Sequence, residues 1–283
     1  MSDILNRIVE KKREEVAERK RALPMPDVRG EARMQPTTRD FTEALRGARP
    51  RGSGRAVNVI AEIKRKSPSK GEFPWHGDAA RQARAYEDGG AKAVSVVTDG
   101  PFFGGSPEML REARRAVTLP VIQKEFVIEP WQVLFARALG ADAVLLIAAC
   151  LPGGLLADLL GLARTLGLHT LVEVTDEAEF KRADDAGAVV IGVNNRDLRT
   201  FEVDPARTER LLPLFRESQV AVCESGIHTP ADAARMLRAG VDAFLIGEAL
   251  MTAPDPAAQL KQLRERGAAE AEGGTPLAAA AGR

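Results

Sequence analysis

Residues 139–149 read LGADAVLLIAA. A Gly closes one element and a run of β-forming residues begins almost at once, the pattern of a helix ended by a C′ glycine and followed directly by a buried strand. The arrangement recurs as GGAKAVSVVTD from Gly89, AGAVVIGVNN from Ala186 and AGVDAFLIGEAL from Ala239, a repeat of roughly 50 residues. Between these lie shorter apolar runs, PVIQKEFV from Pro120, HTLVEV from His169 and QVAVCES from Gln219, and VNVIAEIK from Val57 precedes them all. Amphipathic stretches fill the gaps: DAARQARAYEDGG, SPEMLREARRAV, EPWQVLFARAL, DEAEFKRADDAG and TPADAARMLRAG. Several open on a capping residue followed by Pro or an acid, as in Thr229-Pro230-Ala231-Asp232. Eight strands alternating with eight helices predict an α/β protein, a closed parallel (βα)8 TIM barrel. An open doubly wound sheet is the alternative, but it normally carries a Gly-rich dinucleotide turn after its first strand, and KRKSPSKG (residues 64–71) is not one.

The barrel is expected over residues 46–266, preceded by a helical extension over 1–45. Ile4, Ile8, Lys12 and Val16 follow an i, i+4 spacing that predicts a helix over 3–20, with the charge run KKREEVAERKR as its solvated face. The tail 267–283 is small, polar and poor in bulky residues, and is expected to be disordered. The whole chain of 283 residues carries 40 basic and 40 acidic side chains, and only 5% of it is aromatic. That balance argues against a nucleic-acid binder, which needs a basic footprint or stacking platforms. Cys150, at the end of the fourth strand, and Cys223 have no CxxC spacing and read as reduced, buried thiols. The N-terminus lacks an apolar signal region, and the longest apolar run, Ala143–Leu151, is far shorter than a bilayer span. A soluble, cytoplasmic protein without a membrane partner is expected, and its charged helix exteriors suggest a monomer.

Active sites of such barrels sit at the C-terminal ends of the strands. In VNVIAEIK, Val57, Val59, Ala61 and Ile63 share one face, while Asn58, Ile60, Glu62 and Lys64 share the other. Strand three aligns Ile122, Lys124 and Phe126; strand five ends near Glu173; strand six ends at Asn194 and continues to Arg196; strand seven ends in Glu224 and Ser225. A rim salt bridge explains any one of these groups, but charges converging from several strands are costly unless paired or used. Two lysines facing three glutamates also perturb one another's pKa values, which suits proton transfer near neutral pH. CESGI (Cys223–Ile227) and LIGEAL (Leu245–Leu250) each place a Gly, Gly226 or Gly247, between a strand and a helical segment, where backbone N–H groups close on a phosphate; tight turns alone also explain them. His76, His169 and His228 share no ligand spacing, so no metal site is expected.

With these residues in view, the chain resembles the indole-3-glycerol phosphate synthase family over residues 4–265. The resemblance rests on IVEKKREEVA, AEIKRKSPSKG, VVTDGPFFGGSPEML, QKEFVIEPWQV, GADAVLLIAA, LVEV, IGVNNRDLRTFEVD, CESGI and IGEALM. It implies a barrel with an N-terminal helical segment over the catalytic mouth, acting on 1-(2-carboxyphenylamino)-1-deoxyribulose 5-phosphate. The reaction closes the pyrrole ring and then loses carbon dioxide and water, with no metal or organic cofactor. The resemblance makes Lys124 the general acid of ring closure and Glu173 the partner in proton abstraction for dehydration. Glu62 and Lys64 form the surrounding shell, with Lys64 facing the anionic substrate. Asn194 is a polar group at the reacting centre and Arg196 braces the loops. Glu224 and Ser225 match the acidic and hydroxyl positions of the strand-seven motif. Phe103, Phe126 and Pro68 match the aromatic-binding wall, and Ser67 and Leu145 complete the substrate-binding set. Ser225, Gly226, Gly247 and Glu248 match the phosphate site. Some relatives carry Ser where this chain has Glu248, so only the Glu248 backbone N–H is expected to serve, its side chain pointing away. RKSPSKG is expected to be a mobile cationic loop that closes over the substrate. The resemblance allows association with other enzymes of tryptophan biosynthesis. Rival readings are a sibling isomerase with Cys/Asp acid–base chemistry, a Schiff-base aldolase using Lys124, and a non-catalytic anion or RNA binder.

Overall fold

Asp142 and Asp242, the aspartates that follow the Gly in two of the repeats, help set the strand ends. Their carboxylates accept backbone N–H groups at the start of the preceding strand, from Val121 and Ala221, each at 2.8 Å. The structure is a computed structural model that describes residues 3–46, 56–75, 77–197 and 200–273. Eight parallel strands close into a barrel: β1 (Asn58–Ile63), β2 (Ala93–Val97), β3 (Val121–Lys124), β4 (Ala143–Ile147), β5 (His169–Val174), β6 (Val190–Asn194), β7 (Val220–Glu224) and β8 (Ala243–Ile246). The repeat glycines Gly90, Gly140, Gly187 and Gly240 all have left-handed φ values, at 83°, 86°, 80° and 113°. That is the conformation a helix end needs before its chain turns into the next strand. Asp78, Ser106, Asp176 and Thr229 each cap a following helix through a side-chain oxygen, as the capping pattern predicts. Cys150 falls in a 3-10 turn, Ala148–Cys150, rather than at the end of β4, and both cysteines are free and buried.

Register decides which side chains face inward. Parallel partners share a face, and Glu62 lies beside Ser95, Val97 beside Lys124, Glu173 beside Gly192, and Asn194 beside Glu224. Below this charged tier Ile60, Ile122, Leu145 and Leu171 fill the barrel and are essentially inaccessible. Burying a side chain of this size contributes about 1.5–3 kcal/mol, so the lower tiers carry the stability and leave the upper tier to polar groups.

The N-terminal extension spans the barrel from end to end. α1 (Asp3–Ala22) lies over the C-terminal mouth, where Ile4, Leu5 and Ile8 line the cavity. α2 (Met25–Arg33) buries Val28 and Ala32 against Trp131 and Leu134 in a small second core, and Trp131 Nε1 donates to Leu23 O at 2.9 Å. The following segment reaches the opposite end, where Arg39 N donates to Asp142 at 2.8 Å and Thr38 Oγ1 to Gly167 O at 2.6 Å. α3 (Phe41–Arg46) buries Phe41 and Leu45 there completely.

Two expectations need correction. The charge run of α1 is not wholly solvated: Lys12 is 2% exposed and sits on the face that buries Ile8 and Val16. The tail is not disordered from Gly267, because a helix, Pro256–Ala271, continues through it. Small residues make this possible. A Cβ on Gly267 would lie only 3.1 Å from Ala233 Cβ and 3.2 Å from Val57 Cγ2, so glycine lets the helix pack tightly onto its neighbours. Residues 274–283 and His76 lie outside the described residues, and the expected start of the barrel, residue 46, is the last one described before 56. Among the described residues, no helix is long and apolar enough to cross a membrane.

Candidate active site

The charged tier opens into a cavity at the C-terminal ends of the strands. Glu62, Lys64, Lys124, Glu173, Asn194 and Glu224 line it from β1, β3, β5, β6 and β7 and the residue after β1. Ser67, Pro68, Phe103, Phe126, Leu145, Arg196, Ser225, Gly226, Gly247 and Glu248 line the same cavity. The alternation of each strand brings these residues together, because every one on a strand occupies an inward register position.

Lys124 is the hub. Its Nζ lies 2.6 Å from Glu224 Oε2 and 3.1 Å from Glu173 Oε2. Glu173 Oε1 accepts from Asn194 Nδ2 at 3.0 Å, and Asn194 Oδ1 accepts from Ser225 Oγ at 3.0 Å. Across the mouth Lys64 Nζ donates to Glu62 Oε1 at 2.8 Å and lies 5.6 Å from the centre of the Phe73 ring. Glycines make room for both groups. A Cβ on Gly192 would fall 2.0 Å from Glu224 Oε1, and one on Gly247 would fall 2.6 Å from Glu62 Oε1 and 3.0 Å from Lys64 Nζ. Gly247 therefore has a packing reason independent of any phosphate.

Three carboxylates share two ammonium groups, and the balance sets the proton affinities of Lys124, Glu62 and Glu224. Burial opposes the charge on Lys124, but Glu224, Glu173 and Glu62 outweigh it and raise its pKa, so Lys124 is an ammonium at neutral pH. Burial likewise opposes the charge on Glu62, yet Lys64 and Lys124 hold its carboxyl below the usual range. Glu224 goes the other way. Burial, with Glu173 and Glu62 adding to it against Lys124, pushes its carboxyl up to about 8. Its Oε1 is buried beside Gly192 and has no hydrogen-bond partner among the described residues.

This shift has a measurable sign. A carboxyl that binds its proton more tightly when folded stabilises the protein fully below its unfolded pKa, and that contribution is lost as pH rises toward the folded value. For Glu224 the window runs from about 4.5 to about 8. The melting temperature of Glu224→Gln, measured against the native protein, is expected to gain on it steadily across that window. A constant offset would mean that the Glu224 carboxyl has an ordinary affinity for its proton.

At the strand-seven end Ser225 has φ 65° and Gly226 φ 87°. A left-handed serine is strained, and such strain clusters at functional sites. Glu248 does not behave as expected from sequence. Its side chain is not simply turned away from the mouth but bridges two loops, 3.1 Å from Lys70 Nζ and 3.4 Å from Arg196 Nη2. RKSPSKG folds partly into a small hairpin, with Lys66 opposite Glu72 and Ser67 opposite Gly71. Sequence reasoning missed the apolar contributions of Ile4, Leu5, Ile8, Val97, Ile147 and Phe201 to the cavity. The face periodicity of α1 and the inward register of β2 and β4 were the available signals.

A closed barrel that gathers ammonium groups, carboxylates and aromatic rings at its strand ends defines an enzyme of the (βα)8 class. Among solved structures the chain resembles thiamine phosphate pyrophosphorylase from Pyrococcus furiosus (TM-score 0.57, 18% identity, covering 76% of this chain and 96% of that one). It also resembles N-acetylmannosamine-6-phosphate 2-epimerase from Clostridium perfringens (TM-score 0.55, 17% identity, 72% and 93% coverage). At those identities the likeness is one of fold. Sequence relatives are much nearer. The chain is 49% identical over 265 residues to an indole-3-glycerol phosphate synthase of Azoarcus sp. (strain BH72), covering 93% of this chain and 99% of that one. It is 46% identical over 263 residues to one of Desulfosudis oleivorans, with the same coverage. The family model for indole-3-glycerol phosphate synthase matches residues 5–263. The chain belongs to the indole-3-glycerol phosphate synthase family.

Proposed function

We propose that the cavity binds 1-(2-carboxyphenylamino)-1-deoxyribulose 5-phosphate and converts it to indole-3-glycerol phosphate through Lys124 and Glu173. The family's activity is that of a carboxy-lyase of tryptophan biosynthesis. The observation that carries the residue assignment is the placement of Lys124: an ammonium held between Glu224 and Glu173, in a mouth walled by Phe103 and Phe126.

The substrate has an aryl carboxylate, a ketone and a phosphate, and the mouth offers a place for each. Phe103 and Phe126, with ring centres 5.9 Å apart, flank the aryl group together with Pro68 and Leu145. Lys64 faces its carboxylate. The phosphate lies toward Ser225, Gly226 and the Glu248 backbone, and Arg196 braces that end. In ring closure the aryl carbon bearing the carboxylate attacks the ketone carbon, and the ketone oxygen takes a proton from Lys124 Nζ. Carbon dioxide then departs, and the electron pair of the broken bond restores the aromatic ring. Dehydration completes the pyrrole: the new hydroxyl leaves as water with a proton from an ammonium of the mouth, and Glu173 removes the proton from the carbon beside nitrogen. Asn194 fixes the Glu173 carboxylate for that step. Closure of the RKSPSKG hairpin over the bound substrate excludes water from both stages. The chain works in the cytoplasm as a monomer in this reading.

The test is to follow indole fluorescence on adding the phosphorylated substrate to the purified protein in chelator-treated buffer. A rise in emission is expected. A folded protein that produces none leaves the barrel intact and removes the reaction.

A further inference from the structure

A buried charge cluster at the back of the mouth, reaching the cavity wall only through Glu125, takes no part in the chemistry described above. Lys12 of α1, Asp99 after β2 and Glu125 after β3 are 2%, 1% and 3% exposed. Lys12 Nζ lies 2.8 Å from Asp99 Oδ1, 2.9 Å from Glu125 Oε1 and 2.6 Å from Glu15 Oε2. One ammonium answers three carboxylates, two of which, Asp99 and Glu125, water hardly reaches. Burial opposes its charge, and Glu125 and Asp99 outweigh burial, so Lys12 holds its proton more tightly than usual.

The other bonds of these carboxylates decide what the cluster does. Asp99 Oδ2 accepts the N–H groups of Phe102 and Phe103 at 2.9 Å and 3.2 Å. Glu125 Oε1 accepts Phe126 N at 2.8 Å, and its Oε2 accepts Thr98 Oγ1 at 2.9 Å. Thr98 N in turn donates to Lys124 O at 3.0 Å. The backbones that carry Phe103, Phe126 and Lys124 are thus held by two carboxylates, and a lysine from a different part of the chain draws those carboxylates together.

We infer that Lys12 is a positioning residue, setting the spacing of the Phe103–Phe126 wall and hence the affinity for the aryl end of the substrate without touching it. The inference rests on the assignment of that wall to the aryl group. Without the ammonium, Asp99 and Glu125 repel each other in a poorly solvated site and the two loops part. The phosphate end, formed after β7 and β8, shares none of these bonds.

The experiment titrates full-length protein with two probes, the substrate reduced at its ketone to an alcohol and inorganic phosphate, for native protein, Lys12→Met, Lys12→Arg and Phe103→Ala. Lys12→Met is expected to weaken the alcohol analogue by about tenfold or more, since small displacements of a binding surface are costly. Phosphate affinity stays within about twofold, because distant sites behave independently. Lys12→Arg restores most of the loss, and in turnover Lys12→Met acts mainly on KM. A Lys12→Met protein that weakens both probes equally, or neither, overturns the inference while Phe103→Ala still weakens the analogue. A Phe103→Ala protein with unchanged analogue affinity removes the wall assignment and the inference with it. If Lys12→Met does not fold, the double variant with Glu125→Gln, which also removes a stranded carboxylate, is read by the same criteria.

Discussion

Replacing Lys124 with Met lowers kcat for indole formation by about 10³-fold, within the range that a positioned proton donor contributes. The effect falls on kcat because Lys124 acts on the ketone oxygen as charge develops there, whereas the aryl and phosphate contacts that set ground-state affinity lie elsewhere in the mouth. Stability could confuse the result, so its size matters. Removing one partner of a buried ion pair costs about 3–5 kcal/mol, a large share of the roughly 5–15 kcal/mol that holds a protein folded. Glu224 offers relief, since its carboxyl is already pushed up to about 8 and can take a proton in place of the lost ammonium. The variant is therefore expected to fold with a lower melting temperature, and to be closest to the native protein in mildly acidic buffer. Steady-state fluorescence assays beside thermal unfolding separate the two effects. A folded variant with native kcat removes Lys124 from the chemistry.

Glu173→Gln separates the two stages of the reaction. Gln keeps the shape and the acceptor for Asn194, and Lys124 keeps its 2.6 Å contact to Glu224, so the donor of ring closure stays in place. What is lost is the base for the proton beside nitrogen. Turnover falls by about 10²–10³-fold, and in a single turnover carbon dioxide appears well before the indole chromophore. Equal slowing of both products would instead assign Glu173 to ring closure or to holding Lys124.

The barrel was legible because its local signals agree with one another. The repeated Gly before each of four strands, the capped helices and the inward alternation of β1 all point to the same fold. The strand-end charges were legible for the same reason: period two fixes which residue faces inward, and closure does the rest. What the sequence hid depends on contacts between distant segments. Lys12 shares the i, i+4 stripe of Ile4, Ile8 and Val16 in the sequence, but nothing there names its partners, and only the approach of Asp99 and Glu125 makes it a buried hub. Glu248 reads as a carboxylate to be kept from a phosphate, and its bridge from Lys70 to Arg196 requires two loops and the start of a short helix, Glu248–Met251, to meet. The helical continuation past Gly267 was missed because glycine is a poor helix former and the alanines after it lack the bulk that marks a buried face, while here the glycine allows close packing.

The strap formed by the first 46 residues also bears on how the chain is made. α1 emerges from the ribosome before the barrel, yet the acids that receive Lys12 follow β2 and β3, and α2 needs Trp131. Asn58 bonds Leu45 O at the far end of the barrel, but it also bonds Asp242 O, so that closure waits for the last strand. Until those partners have emerged the nascent extension keeps its apolar face unburied, a state that invites association with other chains or with chaperones. Its charged run, beyond its part in the finished fold, keeps that waiting segment soluble until there is a barrel to receive it.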